Sequence, residues 1–132
     1  MASILKVDTI TGVATAGSIA ITGEGNSTTT NLQQGLAKVW ISVTSTVSIH
    51  DSLNTSSGTD HGTGDYSYNL TNAFTTINGY SQTTAVFTTA AGATCTRNSG
   101  RDAAAIIAVE VSNAAGTLAD DSLNTTAHGD LA

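Results

Sequence analysis

Apolar and polar residues alternate over short stretches along most of the chain, the period-two signature of strands with one buried face. In Val39-Trp40-Ile41-Ser42-Val43, the residues Val39, Ile41 and Val43 share one face, and Lys38, Trp40 and Ser42 share the other. Trp40 therefore points away from the aliphatic row, where it either covers a second layer or enters a subunit contact. Val47-Ser48-Ile49-His50 reads as a second short strand, joined through Thr44-Ser45-Thr46. Residues 51–70 read as strand, tight turn, strand. Tyr66, Tyr68 and Leu70 lie on one face, and Asp60-His61-Gly62-Thr63-Gly64-Asp65 makes the turn, because its two glycines accept positive φ without a Cβ penalty. Thr71-Asn72-Ala73-Phe74 predicts a turn that tucks Phe74 into the core, and Asn78-Gly79 is another turn signal. From Tyr80 to Thr88, Ser81, Thr83, Ala85 and Phe87 oppose Tyr80, Gln82, Thr84 and Val86. Residues 89–102 are small and polar and read as a loop. Ala103 to Ser112 is the most apolar strand, since Ile106, Ile107, Val109 and Val111 outweigh the helical preference of the alanine run. Asn113-Ala114-Ala115-Gly116 turns the chain again, and the polar residues 120–132 predict a short edge strand or a tail. About seven or eight short strands with regular turns describe an all-β protein, an antiparallel β-sandwich or jelly-roll-like domain.

Residues 1–31 break this pattern. Ile4-Leu5-Lys6-Val7-Asp8-Thr9-Ile10 alternates like a strand, and Ser18-Ile19-Ala20-Ile21-Thr22 does so briefly, but small and turn-forming residues surround both. The segment is too polar and too interrupted to form a core strand pair. It reads as an extended N-terminal arm that gains partners outside its own domain, leaving 32–132 as the sandwich body. Leu32 to Lys38 allows one helical turn, weakened by Gly35, or a loop leading into a strand.

Composition sharpens the picture. Leu, Ile, Val and Phe number 27 of 132 residues, so the core is thin, and oligomerisation would supply missing burial. Thr and Ser number 24 and 14, and β-branched Thr suits exposed and half-buried strand faces. Only four Lys and Arg are present, which excludes a basic patch for nucleic acid. The net charge of −6 disfavours anionic membranes, and no apolar run reaches transmembrane length. The opening MASILKVD lacks the features of a signal peptide. Cys95 is the single cysteine, so no intrachain disulfide is possible, and a buried structural thiol is expected.

The candidate chemistry is sparse. His50-Asp51-Ser52 holds the residue types of a triad, but strand neighbours point to alternate faces and do not line up as base and orienter. Asp60, His61 and Asp65 match no calcium or zinc spacing, and a solvated turn explains them. Asp120 and Asp121 with Asp130 suggest at most a weak surface calcium site. Gly12 to Gly17 spaces two glycines like a phosphate loop but lacks the lysine that follows one. The pentapeptide DSLNT recurs at 51–55 and 121–125, which fits similar turns in a Thr- and Asn-rich chain better than a duplicated hairpin. No catalytic, cofactor-binding or metal site is predicted.

Several stretches carry a resemblance. Leu5-Lys6-Val7-Asp8-Thr9-Ile10 followed by Gly17-Ser18-Ile19 resembles the opening of small virion proteins of marine tailed bacteriophages, often called tail-fibre-like. Ala37-Lys38-Val39-Trp40, Asp51 to Ser57, Thr59 to Tyr66 and Asn69 to Phe74 are similar to the body of that family. The likeness spans most of 4–87 and the Gly116-Thr117-Leu118 turn. It departs after residue 88, and the chain ends in a polar stretch where the family pattern has an apolar final strand. The resemblance implies a non-enzymatic virion component, a homotrimer made in the bacterial cytoplasm and assembled into the particle. With no room for a fibre shaft and no heptads, capsid decoration is the leading expectation, with further copies of itself and the major capsid protein as partners. A short tail-fibre or tail-tip module that contacts tail proteins or a host glycan is the alternative. A carbohydrate-binding sandwich is a second alternative. The expected assembly residues are Ile4, Leu5, Val7 and Ile10 in the arm, with Trp40 at a subunit contact.

Overall fold

A computed structural model describes residues 4–13, 19–22, 29–87, 94–97 and 103–131, with backbone alone at 33–34 and 94–97. The chain divides into two compact units, Met1–Gly35 and Leu36–Ala132.

In the first unit, strand β1 (Ala20–Thr22) pairs antiparallel with β2 (Thr29–Asn31) in the register Ala20↔Asn31 to Thr22↔Thr29. The Leu32 N–H donates to the Ile19 carbonyl at 2.8 Å and extends that ladder. A single helical turn, α1 (Leu32–Gly35), follows. Part of the expected arm therefore forms a short antiparallel strand pair. The strand expected at Ile4 to Ile10 is not formed: residues 4–13 carry no regular structure. Alternation suits a segment to a strand, but a strand exists only where an edge pairs with it.

The second unit is a β-sandwich of two four-stranded antiparallel sheets. The first sheet has the order β4-β3-β10-β7, built from β3 (Ala37–Val43), β4 (Ile49–Leu53), β7 (Tyr80–Phe87) and β10 (Ser122–Gly129). The second has the order β5-β6-β9-β8, from β5 (Thr55–Gly62), β6 (Asp65–Leu70), β8 (Thr94–Arg97) and β9 (Ile106–Asn113). The alternation along each strand sets what it buries. Val39, Ile41 and Val43 of β3 and Leu123 and Ala127 of β10 join Tyr66, Tyr68 and Leu70 of β6 and Ile107, Val109 and Val111 of β9 in one core. Phe74 completes it, stacked on Tyr80 with ring centroids 4.4 Å apart. Each of these large side chains contributes about 1.5–3 kcal/mol by leaving water.

The first passage from one sheet to the other takes a single residue. Asn54 separates β4 from β5 and has φ +62°, a left-handed conformation that Asn tolerates. Its side chain locks the corner: Oδ1 accepts from the Asn72 N–H at 2.7 Å, and Nδ2 donates to the Asn72 carbonyl at 2.9 Å. The β5–β6 hairpin turns at Thr63-Gly64, with Gly62 and Gly64 at positive φ, as the glycine pair predicts.

Three expectations are corrected. Residues 94–97 form strand β8 inside the stretch read as loop, because the edge of β9 supplies pairing that local propensity does not signal. Ala103–Ala105 form a turn, and the strand begins at Ile106. The C-terminal stretch is neither tail nor edge: β10 is central, paired on both sides with β3 and β7. Its polar look comes from a solvated outer face and from Thr125, which is buried inward. The Thr125 hydroxyl is satisfied by the Thr84 hydroxyl, by the Thr83 carbonyl at 3.4 Å and by Gln82 Nε2 at 3.4 Å.

Candidate functional site

The residues singled out from sequence occupy two surfaces. On the outer face of the first sheet, Trp40 sits opposite Leu53 of β4 on one side and Thr126 of β10 on the other. Trp40 is 37% exposed and Leu53 45%, so two large apolar side chains stand together in water, one on β3 and one at the end of the edge strand β4. Leu53 was missed from sequence, because it ends its strand and shares the face with Trp40 only once the β3–β4 register is known. Phe87, at the end of β7, is 54% exposed on the same outer side, as its alternation with Val86 predicts.

The other surface is the arm. Ile4 and Leu5 are nearly four-fifths exposed, and Val7 and Ile10 more than half. Val13, outside the alternating run, is exposed as well. Isolated exposed aliphatics are ordinary, but a run of them on a segment with no strand partner is unusual.

The candidate chemical groups are dispersed. His50 and Asp51 are exposed on β4, and Asp51 Oδ1 accepts the N–H of its strand neighbour Ser52 at 2.8 Å, a contact that does not include His50. His61 Nε2 lies 2.8 Å from Ser67 Oγ across the hairpin, while Asp60 Oδ1 caps the Gly62 N–H at 2.9 Å. Asp120 and Asp130 fall at opposite ends of β10. Among the described residues no three His, Cys, Asp or Glu side chains gather closely enough to hold a metal ion. The two DSLNT copies are not equivalent: Asn54 is the inter-sheet corner, whereas Asn124 lies within a strand, and Leu53 is exposed where Leu123 is buried. The expected burial of Cys95 concerns a side chain outside those described. The glycine pair at 12 and 17 likewise extends beyond the described residues.

One polar cluster is invisible in the sequence, because its members lie more than 50 residues apart. Asp120 Oδ1 accepts the Gly64 N–H at 2.7 Å and the Tyr66 hydroxyl at 3.0 Å. The Tyr66 hydroxyl also reaches the Ser45 carbonyl at 3.3 Å. Burial, then the bond to Asp120 and its negative charge, pushes the Tyr66 hydroxyl well above the usual tyrosine range. Burial does the same to Tyr68, whose hydroxyl has no hydrogen-bond partner among the described residues. Both rings are fully enclosed and held neutral, and Asp120, itself exposed, ties the β5–β6 turn to the start of β10.

Among the described residues, no helix is long and apolar enough to cross a membrane. No known protein family, curated protein or solved structure matches the chain.

Proposed function

We propose that the chain is a bacteriophage virion structural protein, a capsid decoration protein that stabilises the shell as a homotrimer. The observation that carries this reading is the exposed apolar arm. Ile4, Leu5, Val7 and Ile10 stand in water on a segment without a strand partner, while the body has a complete core of its own. Such a segment gains free energy when a neighbouring surface covers it. Burying the four side chains yields about 6–12 kcal/mol. Ordering the seven residues from 4 to 10 costs about 7–14 kcal/mol of backbone entropy. The two nearly cancel, so the arm holds firmly only where its backbone also finds hydrogen bonds, or where several arms act together in an oligomer.

The resemblance of the arm and of the 51–74 region to small phage virion proteins supplies the assembly context. Trp40 and Leu53 on the outer face of the first sheet are the second contact we assign, between body and neighbouring copy or shell. No catalytic role is part of this reading.

Removal of residues 1–25 tests it. The truncated protein is expected to retain the body fold by circular dichroism and to lose attachment to particles that lack the native protein. Decoration at full occupancy by the truncated protein would refute the reading. Copy number separates decoration from the tail alternative: a count matching the capsomers means decoration, and a few copies at one vertex mean a tail component.

A further inference from the structure

Covalent change in a folded chain begins where a reactive side chain is both free and unhindered. Asparagine is a thermolabile residue, and the chain holds nine. Its carboxamide is lost when the backbone nitrogen of the next residue reaches the side-chain carbonyl carbon, an approach that a Cβ on that next residue crowds. Of the nine, only Asn78 is followed by glycine. The fold singles out the same residue by an independent route. Asn54 Oδ1 accepts from the Asn72 N–H at 2.7 Å and from Asn72 Nδ2 at 3.2 Å, which holds both carboxamides. Asn69 Nδ2 donates to Ser57 Oγ at 3.0 Å, and Asn113 Oδ1 accepts the Ala115 and Thr117 N–H groups, each at 3.0 Å. Asn78 is exposed, and its carboxamide has no hydrogen-bond partner among the described residues. Its backbone lies in a turn closed by the Gly79 N–H donating to the Thr76 carbonyl at 3.0 Å. Thr75, Thr76 and Ile77 are exposed as well, so this turn opens locally while the sandwich stays folded.

We infer that Asn78 is a site of spontaneous covalent modification, in which the Gly79 nitrogen displaces the Asn78 carboxamide nitrogen and leaves aspartate or isoaspartate at this position. The Gly79 N–H leaves the Thr76 carbonyl and gives its proton to hydroxide. The nitrogen then bonds to Asn78 Cγ, and the bond from Cγ to the carboxamide nitrogen breaks. That nitrogen takes a proton from water and departs as ammonia. Water adds to either carbonyl carbon of the resulting five-membered imide, and the ring opens to aspartate or to isoaspartate. Isoaspartate runs the backbone through the side-chain carbon and lengthens it by one methylene. The turn has no slack for it. On one side the Thr75 N–H donates to the Asp130 carbonyl at 2.8 Å. On the other, the Gly79 carbonyl lies so close to Gly129 that a Cβ there has no room. Gly129 pairs with Tyr80, the first residue of β7. The extra methylene therefore loosens the start of β7, and the new carboxylate adds a negative charge to a chain already at −6.

Ageing the folded, full-length protein at mildly alkaline pH tests this, beside a urea-unfolded sample of the same chain and the variant Asn78→Gln, whose longer side chain disfavours the five-membered ring. The folded wild type is expected to convert to a more acidic species on anion exchange, faster as pH rises. Peptide mass spectrometry is expected to place the amide-to-acid change at Asn78 before any other asparagine, and an isoaspartyl methyltransferase to label the product. Asn78→Gln is expected to keep the wild-type circular dichroism and to lack that species. In the separated isoaspartate form, amides of 80–82 are expected to exchange about tenfold or more faster, while those of β6 and β9 keep their protection. Folded protein that keeps Asn78 intact, whether or not the unfolded sample loses it, overturns the inference. So does modification that begins at another asparagine, or the same acidic species from Asn78→Gln. Unchanged exchange at 80–82 overturns the claim that the change reaches β7.

Discussion

Asp120 gives the sharpest test of how the sandwich is held together. Its Oδ1 is the shared acceptor for the Gly64 N–H and the Tyr66 hydroxyl, and both donors are buried. In Asp120→Ala the Gly64 N–H loses the only partner identified for it, and the Tyr66 hydroxyl keeps only the 3.3 Å contact to the Ser45 carbonyl. A hydrogen bond to a charged group contributes about 1.5–3 kcal/mol, and an abandoned buried donor costs about 1–3 kcal/mol. Asp120 itself is exposed, so solvent screens its charge and the lower end of each range applies. The expected loss is about 2–4 kcal/mol for the alanine variant. Asp120→Asn keeps an acceptor oxygen in place and forfeits only the charge assistance, about 1 kcal/mol. Urea denaturation followed by far-ultraviolet circular dichroism measures both, with an unchanged m-value confirming that the native and unfolded states are otherwise the same. Equal destabilisation by Ala and Asn, or a loss below about 0.5 kcal/mol in the alanine variant, would refute the claim that this carboxylate ties the β5–β6 turn to β10.

Four further outcomes are expected. Tyr66 and Tyr68 both have hydroxyl pKa values raised in the folded state, chiefly by burial. Their contribution is fully present below the unfolded value near pH 10 and falls above it by about 1.4 kcal/mol per pH unit for each tyrosine, so urea midpoints hold to about pH 10 and then drop steeply. Gly58→Ala would place a methyl against Val47 Cγ1 and 3.2 Å from the Tyr68 ring, and costs about 1–3 kcal/mol. Val47, a β-branched residue at φ +62°, accepts glycine readily, so Val47→Gly recovers part of the Gly58→Ala loss, and a double-mutant cycle reads a coupling of about 1 kcal/mol or more. Ile41→Ala, fully inside the core, costs about 2–5 kcal/mol in chemical denaturation, whereas Ile4→Ala leaves the stability of the body unchanged and weakens association in sedimentation. Trp40 is the single tryptophan, so if its exposed face enters a contact, its emission shifts to the blue as concentration rises, and Trp40→Ala weakens that association at little cost to stability.

The strands with a continuous apolar row were legible in the sequence. Val39, Ile41 and Val43, the Tyr66-Tyr68-Leu70 row and the Tyr80–Phe87 alternation all reach the burial their period predicts. The turns at Thr63-Gly64 and Asn78-Gly79 were legible for the same local reason, since each carries a residue suited to its backbone. What stayed hidden depends on distant partners. β8 is a strand only because β9 offers its edge, and β10 is central only because β3 and β7 close on both its sides. The helical turn Leu32–Gly35 forms despite Gly35, so propensity gave way to context there. Of the candidate contacts, the apolar character of Ile4 to Ile10 and the outward orientation of Trp40 follow from alternation alone. Leu53 beside Trp40 and the Asp120 cluster required registers that no local pattern encodes.

Counting the protein in purified virions tests the proposed decoration role most directly. The account predicts a copy number in proportion to the capsomers, with the density of a compact β body on the outside of the shell and an arm reaching a neighbour. Absence from the particle would contradict it, as would a body that sits on the shell with residues 4–10 free of every contact.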